Sequence, residues 1–354
     1  MAIAQLIIGM VRKKLMKLRR LCDMVADTQL MLSGKLVRYE GMDTLVALME
    51  HPLLVSASES FRSMQEKKIS LSENSCSKSS KWVYLFQSEF ATVDPALVDV
   101  CRSYWISVAH MDIPRVVDGG LNQMLSLVAD HDSDAPLDVH LVGGFDDISS
   151  QQSYLDAKRR IKSEGYSYPL CAKIVDALRN RSEKFHIQTL HVLGHNTKWD
   201  SEGIGYPIFH GFVMETSSGS ISPASFDGTS RCPDDIIRRI RVTASFEDPN
   251  WRGKLLDTYD TSTDQFVIAP CAWSIRQKNI ALALQNLSDA EILLSCSSSP
   301  SAEGPDFVDN ERRKWDYLIR HPDWREAFPS KAPRLFQRTA HGAWAQAVRD
   351  NIQN

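Results

Sequence analysis

Residues Val98–Asp112, VDVCRSYWISVAHMD, contain the segment that decides how the rest of the chain is arranged. The part from Ser103 to Met111 carries aromatic and β-branched residues and predicts a β-strand. Side chains two residues apart on a strand share one face, so one face of this strand carries Tyr104, Ile106, Val108 and His110. Pro114 ends the strand, because proline cannot donate a ladder hydrogen bond. The stretch therefore predicts a strand that brings a histidine to one face of a sheet.

Cys101 and His110, both within this stretch, are the residue types of a nucleophile and its base. A thiolate can attack an amide carbonyl, and a histidine can protonate the leaving ammonia and then activate water. Their spacing opposes the pairing, because a continuous strand would separate them by roughly 30 Å and place them on opposite faces. Arg102–Val108 contains no Gly, Pro, Asn or Asp that would turn the chain back. A buried structural cysteine is the competing interpretation of Cys101.

The composition is that of an ordinary globular chain. The 354 residues are 43% hydrophobic and 24% charged, and the formal net charge is -3. This balance gives no whole-protein argument for binding nucleic acid or an anionic membrane, and no apolar run is long enough to predict a transmembrane helix. The seven cysteines are odd in number, scattered and without a CxxC pair. That usage is typical of reduced thiols in a cytosolic or nuclear protein.

The first 41 residues differ from the rest of the chain. No acidic residue precedes Cys22, and basic residues crowd between Arg12 and Arg20. Apolar residues recur from Val11 to Val25 at helical spacing, which predicts an amphipathic basic helix appended to the surface. A mitochondrial-type presequence is the alternative, although the segment is poor in serine. Residues 42–350 are predicted to form the main domain, with a polar, serine-rich loop near 66–80.

Strand and helix patterns alternate along this main domain. Predicted strands lie near 82–86, 137–142, 185–193, 208–216, 254–259, 266–269, 335–339 and 343–345, and predicted helices lie near 44–50, 149–165, 170–178, 235–241 and 306–321. Gly143-Gly144 predicts a bend where the backbone comes close to another group. Interleaved helices and strands with several antiparallel hairpins favour an α+β fold over a doubly wound parallel sheet.

Other chemistry-bearing residues have simpler structural interpretations. His191 and His195 have the spacing of a helical zinc pair, but the first lies on a predicted strand and no third ligand is near, so no metal site is predicted. His140 is interpreted as structural, Cys271 as a core residue, and the arginines of the 235–241 helix as its solvated face. Asp146 and Asp147 are interpreted as loop carboxylates in contact with solvent, with binding of a cation such as an α-amine as the alternative.

Several separate motifs, in order and with matching spacing, are similar to those of one family. They are DVHLVGGF (Asp138–Phe145), PASF (Pro223–Phe226), the YD…FVIAP…W run from Tyr259 to Trp273, and SSPSAEGPDFV (Ser298–Val308) with the WDYLIRHP that follows. Over roughly 42–350 the chain resembles the protein N-terminal asparagine amidohydrolase family, and Asp43–Gln65 is similar to its plant members. None of these motifs is a common short pattern, so the resemblance is specific.

The resemblance implies a fold and an activity. The fold would be similar to that of Cys–His glutamine deamidases, a β-sandwich-like core of mixed, largely antiparallel strands with flanking helices. The activity would remove ammonia from the side chain of an N-terminal Asn in a protein or peptide and leave Asp, using a thiol and neither a metal nor an organic cofactor. The product would enter the N-degron route to ubiquitin-dependent degradation in the cytoplasm or nucleus. We expect a monomer without nucleic-acid or membrane partners.

The resemblance also implies site residues. SVAHMD (Ser107–Asp112) is similar to the family strand that carries the catalytic-site histidine, so His110 is the expected general acid/base, and Cys101 is the nearest candidate nucleophile. Substrate contacts are expected from residues in or beside the motifs, namely Asp138, His140, Asp146 and Ser225. Two features depart from the family: residues 1–41 have no counterpart, and the Thr-Thr-Cys motif with its outgoing strand is absent. A catalytically inactive relative that binds N-terminal Asn without turnover, such as a shortened splice form, is therefore the alternative.

Overall fold

The structure, a computed structural model, is a mixed α+β fold with several sheets. It describes residues 6–13, 31–32, 44–70, 82–93, 104–128, 136–147, 165–297, 299–339 and 343–347. The strands are β1 Leu6–Lys13, β2 Met31–Leu32, β3 Lys67–Ile69, β4 Glu89–Val93, β5 Tyr104–Met111, β6 Leu137–Gly143, β7 Phe185–His191, β8 Thr197–Trp199, β9 Gly205–Pro207, β10 Phe212–Met214, β11 Ile221–Phe226, β12 Leu256–Asp257, β13 Tyr259–Asp260, β14 Gln265–Ile268, β15 Arg334–Arg338 and β16 Trp344–Gln346. The helices are α1 Thr44–Met49, α2 Pro52–Ser63, α3 Val117–Val128, α4 Ser167–Arg179, α5 Asp235–Glu247, α6 Ile275–Leu284, α7 Asp289–Cys296, α8 Phe307–Arg320 and α9 Trp324–Ala327.

The largest sheet has seven strands in the order β12-β4-β5-β1-β6-β7-β2. Both β5 and β6 pair with β1 in the antiparallel sense, so they run in the same direction, and β7 pairs with β6 in parallel. The carboxyl ends of β5, β6 and β7 therefore meet at one edge of the sheet, which we call the carboxyl edge and define by Met111, Gly143 and His191. The smaller sheets are β10-β11-β3, β13-β14-β15-β16 and β8-β9.

Strand β1 corrects the prediction of an appended basic helix over Val11–Val25. Eight residues of β1 pair with β5 and six pair with β6, so this strand lies inside the sheet rather than on its surface. Gly9 is buried, and Met10 is 0% exposed. The segment LIIGMV has the apolar and β-branched content of a strand, and two flanking strands satisfy its backbone groups. The predicted helix beyond Lys13 lies outside the described residues, and the division of the chain after residue 41 stays a prediction.

The two faces of the seven-stranded sheet are covered differently. Helices α1, α3 and α4 pack on one face, which we call the helix-covered face, with a buried cluster that includes Met10, Ala109, Met111, Val139, Leu141, Leu121, Met124, Leu170 and Ile174. Helix α2 and the β10–β11 hairpin cover the other face through Phe61, Val142, Phe209, Phe212 and Ile221. At Gly9 a Cβ would stand 2.2 Å from Met214 Cε, so the covering hairpin comes close at this point.

A second core surrounds the four-stranded sheet and corrects another prediction. Arg238 of α5 is not solvated, because it is 0% exposed and pairs with the equally buried Glu89 of β4, with 2.5 Å between Arg238 Nη2 and Glu89 Oε2. Its guanidinium also lies over the rings of Phe86 and Phe266. Arg241 on the same helix is 6% exposed. Helical periodicity indicates which apolar residues face inward, but it cannot show that a buried carboxylate on a distant strand pairs with an arginine of the helix.

Most other local predictions are confirmed. The α1, α4, α5 and α8 helices and the β6, β7, β10–β11 and β15–β16 strands appear close to their predicted positions. The strand predicted at 82–86 is wrong, since the strand in this region is Glu89–Val93, and the predicted polar loop contains β3, which pairs in parallel with β11. The helix predicted to begin at Ser149 or Ser150 lies outside the described residues up to Gly165. Within the described ranges, no helix is long and apolar enough to cross a membrane.

Candidate active site

His110 lies at the carboxyl edge of the seven-stranded sheet. It stands opposite Ile7 of β1, which stands opposite Val142 of β6, which stands opposite His191 of β7. Residues in one such row share a face, so His110 and His191 lie on the face opposite the helix-covered one, three strand spacings or roughly 14 Å apart. His140, two residues before Val142, shares this face, which we call the histidine face.

The His110 ring is buried and incompletely hydrogen-bonded. The residue is 7% exposed, and its Nε2 atom has no hydrogen-bond partner within the described part of the chain. Burial lowers the pKa of His110 to about 4, and no carboxylate opposes that effect. The imidazole is therefore neutral near pH 7, which is the form that can accept a proton from a nucleophile.

Asp112 and Ser88 are two buried polar residues next to His110. Ser88 N–H donates to the His110 carbonyl over 2.9 Å, and Ser88 Oγ lies 2.9 Å from each carboxylate oxygen of Asp112. Both residues are 1% exposed. Burial raises the pKa of Asp112 to about 6, while the Ser88 hydroxyl lowers it. The carboxylate does not contribute to the pKa of His110, so it is not the charge partner of the ring.

The loop after β6 follows the carboxyl edge and is held by side chains from the segment after β7. Gly143 and Gly144 have φ values of 110° and 60°, which glycine adopts readily. Asn196 Nδ2 donates to the Gly144 carbonyl over 3.2 Å, and Asp146 N–H donates to Thr197 Oγ1 over 2.8 Å. A Cβ on Gly144 would lie 3.4 Å from Ser167 Cβ and 3.6 Å from Cys171 Sγ, which are ordinary van der Waals distances, so the positive φ, and not the predicted close approach, favours glycine here.

Asp146 and Asp147 have different environments in this loop. Asp147 Oδ2 accepts hydrogen bonds from the N–H groups of Tyr166 and Ser167 at the start of α4. Asp146 is half-buried, and its carboxylate forms no hydrogen bond with another described residue. Of the two carboxylates, that of Asp146 is therefore the one that no described residue engages through a hydrogen bond.

The structure records no hydrogen bond between His110 and the other predicted substrate residues. Asp138 lies near the start of β6 and accepts hydrogen bonds from His186 Nδ1 at 2.9 Å and Gln188 Nε2 at 2.8 Å. His140 lies 3.1 Å from Thr189 Oγ1 through its Nδ1, and burial lowers its pKa to about 4. Ser225 belongs to β11, in the covering sheet, opposite Lys68. Their roles in substrate binding stay predictions.

None of the four cysteines in the described part of the chain is placed to act with His110. Burial raises the pKa of Cys171, Cys232, Cys271 and Cys296, and no histidine contributes to any of these shifts. Cys171 packs in the cluster on the helix-covered face, and Cys271 packs beside the second core, as predicted. Cys101 lies outside the described residues.

The described strand nevertheless sets a limit on what Cys101 can reach. From Tyr104 to His110 β5 is continuous, a span of roughly 20 Å. Three chain steps join Cys101 to Tyr104 and span at most about 11 Å. Even a full return along β5 would therefore leave roughly 9 Å between the Cα atoms of Cys101 and His110, a gap that the two side chains would have to span.

No group of three or more His, Cys, Asp or Glu side chains is placed to hold a metal ion among the residues that the structure describes. His191 and His195 hydrogen-bond to different partners. His191 Nδ1 lies 2.7 Å from Ser58 Oγ, whereas His195 Nδ1 lies 3.0 Å from the Leu190 carbonyl. The helical zinc pair considered from the spacing is thus absent, because His191 ends a strand.

Sequence reasoning missed three residues that shape this edge. Ser88, Asn196 and Thr197 lie in no recognisable motif, and each acts through a partner more than ten residues away. A buried serine or asparagine leaves no periodic signal in a sequence. Only the neighbouring Gly143-Gly144 bend indicated that the backbone here needs support.

Comparisons with known proteins identify the family of the chain. Residues 72–346 match the family model described as protein N-terminal asparagine amidohydrolase. A protein N-terminal asparagine amidohydrolase of Arabidopsis thaliana is 51% identical over 323 residues, which cover 86% of this chain and 93% of that protein. Proteins of the same name from Mus musculus and Sus scrofa are 28% and 27% identical over 61% and 62% of their lengths. The chain is a member of the protein N-terminal asparagine amidohydrolase family.

Proposed function

We propose that this protein removes ammonia from the side chain of an N-terminal Asn and leaves an N-terminal Asp. The observation that carries the proposal is the 51% identity, over 86% of this chain, to a plant protein of that name. The neutral, unpartnered His110 at the carboxyl edge supports it, because hydrolysis of an amide needs a base that later protonates the leaving group.

The proposed reaction uses a cysteine thiol and His110. The thiol loses its proton to His110 as sulfur attacks the side-chain amide carbon of Asn. The C–N bond then breaks, and the proton passes from His110 to the departing ammonia. Water next attacks the thioester carbon, the C–S bond breaks, and the product carboxylic acid leaves while the thiol is restored. The pKa of His110, about 4, favours proton transfer during attack over a resting thiolate–imidazolium pair.

Cys101 is the proposed nucleophile. No histidine contributes to the pKa of any described cysteine, which leaves Cys22, Cys76 and Cys101 as candidate nucleophiles. Cys101 precedes β5 by three residues and is the nearest of these to His110 along the chain.

Asp146 is the proposed partner of the substrate α-ammonium. Its half-buried carboxylate follows β6 at the same edge as His110, and Thr197 fixes its backbone. Asp138, His140 and Ser225 remain proposed contacts for the rest of the substrate, with Asp138 the weakest, since His186 and Gln188 already occupy its carboxylate.

The finer fold prediction is also part of the proposal. The seven-stranded sheet with the β10–β11–β3 sheet on its histidine face is sandwich-like, which supports kinship with Cys–His deamidases. We further propose that the protein acts as a monomer in the cytoplasm or nucleus, without nucleic-acid or membrane partners. Its product would feed the N-degron route to ubiquitin-dependent degradation. The high identity over most of the chain does not favour the inactive alternative.

The proposal is tested with three peptides that differ only in the placement of the amide. One begins with Asn, one begins with Gln, and one carries Asn at an internal position. Purified protein is expected to raise the mass of the first peptide alone, by the difference between an amide NH2 and a hydroxyl, and to release ammonia. Binding of the Asn peptide without any mass change would instead support the inactive receptor.

The nucleophile is tested in the same assay. Cys101→Ala is expected to abolish turnover, and Cys271→Ala is the matched control, because Cys271 is a partly buried thiol of the second core. Turnover that survives Cys101→Ala would exclude Cys101 and direct attention to Cys76 and Cys22. Turnover of the internal-Asn peptide would contradict the proposed specificity for a free N-terminus.

A further inference from the structure

Ser88, immediately before β4, makes hydrogen bonds that converge on the end of β5. Its N–H donates to the His110 carbonyl over 2.9 Å, and its hydroxyl donates to Asp112, two residues beyond, with 2.9 Å to each carboxylate oxygen. Its own carbonyl accepts from Leu256 N–H over 2.7 Å. Every polar group of this 1% exposed residue therefore has a partner inside the protein.

The backbone of Ser88 is in the left-handed region, with φ of 58°. A residue other than glycine, asparagine or aspartate rarely adopts this conformation, and it persists only where the surroundings hold it. Here the left-handed turn is what points both the N–H and the hydroxyl of Ser88 at β5. The strain and the contacts thus belong to one arrangement.

Asp112 is a buried carboxylate without a cation partner among the residues that the structure describes. It is 1% exposed, and its charge is offset by the Ser88 hydroxyl and by the N–H groups of Asp112 and Ile113. Burying a carboxylate in this way is unfavourable compared with an apolar residue of similar size. Among the described residues its only side-chain partner is Ser88, so its evident effect is to fix that hydroxyl.

We propose that Ser88 is a positioning residue for His110 and that Asp112 holds Ser88 in this role. The inference rests on the proposed function of His110 in proton transfer. Anchoring the His110 carbonyl fixes the backbone from which the imidazole projects towards the substrate amide. A displacement of ~1 Å in a reacting group can lower the rate by about 100-fold, so the anchor affects the rate rather than substrate binding.

The activity test compares three variants of the full chain with the Asn-initiated peptide. Ser88→Ala and Asp112→Leu are expected to lower kcat by about 10- to 100-fold while KM changes little. Asp112→Asn keeps a carbonyl oxygen that can accept from Ser88 and is expected to restore most of kcat. A loss of kcat in Asp112→Asn as large as in Asp112→Leu would overturn the role assigned to the hydroxyl bond.

The matched control lies on the same two strands. Thr92 Oγ1 donates to Ser107 Oγ over 2.9 Å, and both residues are buried, but this bond joins β4 and β5 away from His110. Thr92→Val is therefore expected to lower the melting temperature about as much as Ser88→Ala does and to leave kcat within about twofold. Equal losses of kcat in the two variants would reduce Ser88 to a stabilising residue and overturn the proposal.

A second measurement separates this inference from the proposed function. The imidazole resonance of His110 is identified as the one missing from His110→Gln in the spectrum of histidine-labelled protein. Ser88→Ala is expected to shift or broaden that resonance, and Thr92→Val is not. If the wild-type protein does not turn over the peptide but the resonance responds in this way, the positioning contact stands and the proposed reaction fails. If Ser88→Ala leaves the His110 resonance unchanged, the positioning role is overturned, whether or not the protein turns over the peptide.

Discussion

The helix-covered face and the histidine face belong to the same sheet but contain different chemistry. On the helix-covered face, Met10 and Val139 are register partners, 0% exposed, in a cluster made of apolar side chains. On the histidine face, three buried imidazoles share the surface with Phe61, Phe209 and Phe212, and two of them have an unpartnered Nε2 atom. The helix-covered face therefore stabilises the fold. The histidine face buries polar groups, which is unfavourable in free energy, and it includes the edge where the reaction is proposed.

The largest expected effect comes from replacing His110, which is on the histidine face. His110→Gln should lower kcat/KM for the Asn peptide by about 100- to 10,000-fold, because the reaction loses its proton acceptor and donor. Its melting temperature should change little, since the Nε2 atom of His110 has no partner to lose. Peptide turnover and thermal unfolding measure the two effects separately.

His191→Gln is the matched control for that variant. His191 lies in the same row of the same face but bonds to Ser58 on α2, and no step of the reaction is assigned to it. Its substitution should leave kcat/KM within a few-fold of the wild type. Comparable losses of activity in both variants would mean that the whole face, rather than His110, supports the reaction.

The next largest effect is a loss of stability on replacing a buried residue of the helix-covered face. Met10→Ala should lower the free energy of unfolding by about 2–5 kcal/mol, as expected for a large buried side chain in a cluster that cannot collapse fully. Val139→Ala, at its register partner on β6, should also be destabilising by a similar mechanism. Urea unfolding measures both. A change under about 0.5 kcal/mol for Met10→Ala would place the N-terminal segment on the surface, as the helix prediction had it.

His110 and Met10 show how much of the fold and of the candidate site could be predicted from the sequence. The strand that carries His110 was predictable because its alternation is local and its histidine lies in a motif. The position of Met10 was not, because β1 is fixed by partners near residues 104–111 and 138–143, and a short apolar segment fits a helix or a strand equally well. Contacts such as Ser88–Asp112 and Arg238–Glu89, separated by 24 and 149 residues, leave no trace in local periodicity.

The last expected effect concerns the pH dependence of stability, which the histidine face should dominate. Burial lowers the pKa of His110, His140 and His191 to about 4, whereas an unfolded histidine titrates near 6.5. Between these values the unfolded chain binds protons that the folded chain does not, so the free energy of unfolding should fall as the pH decreases from about 6.5 to about 4. Asp112, with its pKa raised to about 6, binds a proton in the folded state first and offsets part of this fall.

His191→Gln isolates one histidine of that set. It should reduce the slope of unfolding free energy against pH by up to about 1.4 kcal/mol per pH unit, which is the contribution of one proton. Urea unfolding at several values between pH 4.5 and pH 7.5, an interval chosen to span roughly the titration of an unfolded histidine, measures the slope. Ser58→Ala removes the hydrogen bond but keeps the imidazole, so it should lower stability at every pH and preserve most of the slope. If both variants kept the wild-type slope, the acid sensitivity would lie outside the histidine face, and the cost assigned to its buried imidazoles would be wrong.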